Sequence, residues 1–192
     1  MGTEMSLRTL LEGLLLWGIY PLWLLAGAGD YVCHRRTDIE HTSGNPESRY
    51  HLLQYLTLLV VFAAAVLLKV NAVIFGAMVI LIVVHSVLAH LDVSYTDGRR
   101  YISPLEQQIH GFMEVLPVVA VAIFGVLHWA EIGAGLTSPI LALETPVSSG
   151  RALLLASFAV LAGVPVLEEL VRTRRHRSDR ERRYHEGLAT IK

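Results

Sequence analysis

Charge is scarce in this sequence and cysteine almost absent. Charged residues fill 17% of its 192 positions, where a soluble domain averages about 25%. A chain this apolar exceeds what a globular core needs. The single Cys33 excludes an internal disulfide framework. There is no CxxC pair, no glycine-rich phosphate loop and no fixed-period repeat, so dithiol redox motifs, P-loops and solenoids fall away. The net charge of −1 says little by itself, because it conceals a strong asymmetry along the chain.

What is abundant is apolar and comes in long blocks. Hydrophobic residues make up 53% of the chain, and five runs stand out, over residues 11–29, 52–70, 72–91, 112–130 and 152–170. Each, as a helix rising 1.5 Å per residue, is long enough to cross a hydrocarbon core of about 30 Å. The expected fold class is therefore an all-α integral membrane protein with about five transmembrane helices. Residues 1–171 form its membrane domain and residues 172–192 a basic cytoplasmic tail, extended or helical.

Lys and Arg set the orientation of such a chain. With the N-terminus outside, the inner segments 30–51, 92–111 and 171–192 hold 13 of the 16 basic residues, leaving only Arg8, Lys69 and Arg151 outside. The expected topology is N-out and C-in, in a multi-pass protein of the bacterial cytoplasmic membrane. Cys33 then lies on the reducing side. The first ten residues carry one Arg and one Glu, a poor start for a signal peptide, although residues 26–29 resemble a cleavage site.

The connections are punctuated by turn formers. Thr42-Ser43-Gly44-Asn45-Pro46 separates the first two spans, with Asn45 suited to an N-cap and Pro46 to the first helical position. Ser103-Pro104-Leu105-Glu106 has the form of a capping box ahead of the fourth span. Lys69-Val70-Asn71 leaves room only for a tight turn, so spans two and three form a helical hairpin. The segment 131–150 reads as an outer loop with a short interfacial piece near 140–143.

Histidines and acids recur at one end of these spans. Residues four apart on a helix share a face and are about 6 Å apart along the axis. Asp30 and His34 have that spacing in span one, Glu47 and His51 in span two, and Glu106 and His110 in span four. Span three offers His85 and Asp92, seven apart. Given the alternating direction of the spans, Asp30, His51, His85 and His110 form a deeper layer, and His34, Glu47, Asp92 and Glu106 a layer nearer the cytoplasm. Carboxylates one turn apart can bridge metals about 3.5–4 Å apart, and mixed imidazole and carboxylate ligands suit iron, manganese or zinc. The four helices are thus expected to form a bundle holding two metal ions, best read as iron.

Each residue also has a structural reading. Glu106 serves a capping box, Glu47 a helix dipole, and Asp30 and Asp92 pair with Arg35 or Arg99. His34 taken alone reads as solvated. His51, His85 and His110 resist this reading, since ionisable groups inside apolar blocks are costly and face partners. Glu114, one turn beyond His110 beside Pro117, is the candidate for catalytic proton transfer, for a ninth ligand or for a histidine partner. Gln54, His90, Tyr50, Tyr95 and Glu40 are weaker supporting candidates. His128 reads as interfacial, Trp17, Tyr20 and Trp23 as packing, and Glu168 and Glu169 with Arg172 as a charged helix end.

This arrangement resembles that of membrane-bound non-haem di-iron hydroxylases and desaturases, whose sites also lie at cytoplasmic helix ends. In ligand chemistry it is similar to alternative oxidases. The resemblance covers roughly residues 30–114. It departs from the first group in lacking HxxxH and HxxHH boxes, and from the second in spacing Glu47–His51 and Glu106–His110 one residue wider than ExxH. It implies a di-iron oxidoreductase acting on a lipid or other apolar small molecule, with an electron donor. A zinc-dependent intramembrane hydrolase, with Glu114 or Glu106 as general base, is the second reading; it resembles intramembrane amidases of the ceramidase type. A b-type haem carrier using His51, His85 or His110 is the third. A metal transporter would continue the ligand face toward the outer halves of the spans, which does not occur. The tail alternates in sign and adjoins a membrane, which favours anionic lipid over nucleic acid. The fifth span is open to completing the bundle or to joining a second subunit.

Overall fold

The structure is a computed structural model that describes residues 6–134 and 141–189, with side chains up to Tyr184. Five long helices carry nearly all of it: α1 (Leu7–Arg36), α2 (Asn45–Leu67), α3 (Ala72–Thr96), α4 (Pro104–Leu127) and α5 (Ser149–Ala189). All five are long and apolar enough to cross a membrane. Among the described residues there is no strand, and the short helix Trp129–Gly133 follows α4. These are the features of a membrane protein.

The helices outrun the apolar blocks, and always at the ligand-bearing end. Polar turns such as residues 30–36 and 104–111 stay helical because their neighbours satisfy them, so hydropathy alone stops short of the true ends. In α1 the stretch Leu14–Ile19 is wound as a π-turn just ahead of Pro21, where the ring removes an N–H donor from the ladder. The last helix runs unbroken past residue 172 to Ala189, so the described part of the basic tail is helical; residues 190–192 lie outside the described residues.

Helix ends follow the sequence in part. Ser103 caps α4, its hydroxyl accepting from the Glu106 N–H at 3.1 Å, but the Glu106 carboxylate turns inward instead of closing the capping box. Asn45 does not cap α2. The helix starts at Asn45 after Gly44, whose φ of 70° is glycine's territory, and the Asn45 side chain donates across the bundle to Thr173 at 3.4 Å. Asn71 caps α3 by accepting from the N–H groups of Val73 and Ile74, which makes α2–α3 the expected tight hairpin. Of the interfacial piece near 140–143, residue 140 lies outside the described residues. Residues 141–144 run extended beside the hairpin turn, with Lys69 and Glu144 N–H groups donating to Ala142 and Leu67 carbonyls.

The apolar core fills the end of the bundle away from the ligands. Trp23, Leu58, Met78, Val121 and Phe158 come from all five helices and are buried together. Trp23 stacks on Phe158 at 5.2 Å and Phe62 stacks on it at 4.6 Å. In lipid, helices associate through close packing more than through the hydrophobic effect, so small residues at the crossings matter. Gly163 lets α5 approach Tyr55 of α2, since a Cβ there would meet the Tyr55 hydroxyl at 2.6 Å. Pro117 contributes differently. Lacking an N–H, it leaves the Met113 carbonyl one turn earlier free, and the Trp23 indole N–H donates to that carbonyl at 3.3 Å. The fifth helix packs against α2 and α1, so five helices, not four, enclose the interior.

Candidate metal centre

Every acid–histidine pair lies at the same end of the bundle, and seven of the eight expected residues meet. His110 Nε2 lies 2.8 Å from Asp30 Oδ1, joining α4 to α1. His34 Nε2 lies 3.5 Å from both Asp30 Oδ1 and Glu106 Oε1, and 3.9 Å from Glu47 Oε1. His51 Nε2 lies 3.0 Å from Asp92 Oδ2 and 3.9 Å from Glu47 Oε1. Two overlapping donor sets result, each with atoms within 4.8 Å of one another: Asp30, His34, Glu106 and His110, and His34, Glu47 and His51. Asp30, His34, Glu47, Asp92 and Glu106 are buried. These groups are able to hold metal ions.

These contacts are at ion-pair distances, and several of the atoms make no hydrogen bond of good geometry. Asp30 Oδ1, His34 Nε2, His51 Nε2, Asp92 Oδ1 and both Glu106 oxygens have no hydrogen-bond partner despite these distances. Buried polar groups are almost always paired; here the ion-pair partners are the imidazoles and, for Glu106, Arg100 at 2.6 Å.

No family model, curated protein or solved structure matches the chain. Its chemistry is therefore read from these residues alone.

Two further residues join the layer: Glu169, expected with Glu168 and Arg172 to be a charged helix end, and Arg100, expected only as a basic residue of an inner loop. Glu169 of α5 is 2% exposed. One of its oxygens lies 2.8 Å from His34 Nδ1 and the other 2.6 Å from His51 Nδ1. Its neighbour Glu168 does behave as a charged helix end, meeting Arg35 at 2.8 Å, Arg172 at 3.3 Å and the Tyr31 hydroxyl at 2.8 Å. Arg100 lies in the loop after Gly98, whose φ is 72°. Its guanidinium donates to both Glu47 oxygens, from Nε at 3.1 and 3.2 Å and from Nη2 at 2.6 Å, and lies 2.6 Å from Glu106. Burial works against its charge, but these two carboxylates outweigh burial and hold its pKa above the ordinary arginine value. The pairing of Asp30 with Arg35 or of Asp92 with Arg99 does not form: Arg35 meets Glu168, and Arg99 packs on the Tyr95 ring and carbonyl.

His85 is the expected ligand that the fold leaves outside. Seven residues from Asp92, it is about 10.5 Å away along the axis, too deep for the layer. Its Nδ1 faces the Gln54 carbonyl at 3.4 Å, while the Gln54 amide donates to Asp92 at 3.1 Å. Glu114 lines the cavity described next without a hydrogen bond or ion pair among the described residues. His128 lies beyond α4 near Glu131, at 3.9 Å. Asp38, Glu40 and His41 also approach one another at the rim, where Glu40 pairs with Arg172.

A cavity of about 290 Å³ adjoins the cluster. Its polar end is lined by Asp30, His34, His51, Asp92, His110 and Glu169, and its apolar end by Trp23, Leu58, Leu161, Pro165 and Val166. An apolar molecule filling it would bring one end to the carboxylates and imidazoles.

Proposed function

We propose that the chain is a membrane-embedded di-metal oxidoreductase, with two iron ions, acting on a lipid or other apolar substrate at the cytoplasmic face in an N-out, C-in topology. The observation that carries this reading is charge. Five buried carboxylates, from Asp30, Glu47, Asp92, Glu106 and Glu169, gather at this end with one buried guanidinium, from Arg100, which pairs with Glu47 and Glu106. They leave four negative charges, the complement of two divalent ions. Charge left uncompensated at this depth is costly; two divalent ions balance it with the histidines neutral, and protons on His34, His51 and His110 are the alternative that metal analysis separates.

In this reading Asp30, His34, Glu106 and His110 hold one ion, and His51, Asp92 and Glu47 the other. Such a pair of irons supplies O₂ activation when bound. The chain's residues do the rest. Arg100 fixes Glu47 and Glu106 between the two positions, and Glu114 carries protons to and from the cavity. Trp23, Leu58 and Leu161 hold the substrate's apolar part and keep water from the reacting end. The likeness in arrangement to di-iron hydroxylases and desaturases supports the same class. A zinc hydrolase is compatible with the donor set, whereas five carboxylates around the imidazoles oppose a haem macrocycle.

Metal analysis of detergent-purified protein from metal-replete cells tests this. About two irons per chain are expected, with a weak near-ultraviolet oxo-bridge absorption in the oxidised protein. Zinc in their place turns the reading to hydrolysis, a Soret band turns it to haem, and no tightly bound metal overturns it.

A further inference from the structure

Glu169 touches neither Nε2 atom in the cluster; it touches the far side of two rings. Its two oxygens serve His34 Nδ1 and His51 Nδ1, one each, at 2.8 and 2.6 Å. The two imidazoles lie nearly parallel, 9° apart in plane and 4.6 Å between centroids. Their Nε2 atoms are both buried and without a hydrogen-bond partner. A histidine that donates from Nδ1 presents a lone pair at Nε2, and a carboxylate on the far nitrogen fixes both the tautomer and the ring's direction.

We infer that Glu169 is a positioning residue that locks two metal-ligating imidazoles at once, so that the fifth helix sets the occupancy of both ion positions; the inference rests on the proposed metal centre. The carboxylate is suited to this because it is acceptor-only with two oxygens. A carboxamide has one acceptor oxygen and one donor nitrogen. In Glu169→Gln, therefore, just one ring keeps its Nδ1–H bond. The other moves its proton to Nε2, where no lone pair remains for a metal. Glu169→Asp keeps two acceptors on a shorter stem, and it separates loss of the carboxylate from loss of shape.

The experiment is iron(II) or zinc titration of chelator-stripped full-length protein in detergent, with bound metal counted for wild type, Glu169→Gln and Glu169→Asp. Wild type is expected to bind two ions. Glu169→Gln should keep one and bind the other about 10–100-fold more weakly, as is usual when a ligand's outer partner is lost. Glu169→Asp should keep two. Two ions bound at wild-type affinity in Glu169→Gln overturn the inference. The Nδ1–H proton resonances of His34 and His51, assigned through His→Ala variants, supply the second readout. They should be downfield and slow to exchange in wild type, with metal or without it. Their presence in a protein that binds no metal defeats the metal reading and leaves the clamp standing; their absence overturns the clamp whatever the metal content, even if Glu169→Gln fails to fold.

Discussion

Helices α2 and α4 begin almost alike, yet their half-sites differ. Pro46-Glu47 and His51 open one; Pro104, Glu106 and His110 open the other. Both glutamates meet Arg100. Beyond that the likeness ends. His51 has an acid near both ring nitrogens, Asp92 at 3.0 Å and Glu169 at 2.6 Å, and its side chain is 11% exposed. His110 has Asp30 as its polar partner among the described residues and is 22% exposed. The cause lies in packing: α2 is flanked by α3 and α5, each of which brings an acid, while α4 lies mainly against α1. The same local signal thus yields a braced histidine and an open one.

Removing what the halves share should have the largest effect. Arg100→Leu leaves Glu47 and Glu106 buried without their counter-charge, at a cost of about 3–5 kcal/mol, read from denaturation in detergent. The loss should shrink in metal-loaded protein. An unchanged midpoint would mean the two halves do not depend on a common anchor. Next comes the contrast itself. His51→Ala removes a proposed ligand and releases one arm of Glu169, so bound metal should fall furthest there, whereas His110→Ala should retain about one ion. Equal metal content in the two variants would erase the distinction between braced and open. Gly163→Ala forces α5 away from Tyr55 and should lower stability by about 1–3 kcal/mol, loosening the braced side alone; a parallel loss of His110-dependent metal would argue for one rigid unit. Smallest of all, His85→Ala and His128→Ala should leave metal content at the wild-type value, and a clear drop for His85 would return it to the ligand set.

Much of this was legible before any coordinates. Mostly apolar blocks of about twenty residues can do little but cross a membrane, and a helix fixes what lies four residues away, so Asp30–His34, Glu47–His51 and Glu106–His110 could be paired from spacing alone. His85–Asp92 could not, because seven residues preserve the face but not the depth. Glu169 and Arg100 left no local pattern. Position 165 is Pro and position 173 is Thr, so Glu169 has no histidine one turn away to signal its role. Arg100 reaches its carboxylates from a loop, whose path follows from how α3 and α4 pack. Both residues complete the site through tertiary contact, which sequence spacing does not encode.

The indole of Trp23 has an optical consequence. Of three tryptophans, Trp17 and Trp129 are 79% and 74% exposed at the periphery, while Trp23 is 8% exposed, bonded to the carbonyl that Pro117 sets free, and part of the cavity wall. A chain with Trp17 and Trp129 replaced by Phe would emit from that wall alone. Its fluorescence would then report directly on whether a given apolar molecule enters the cavity.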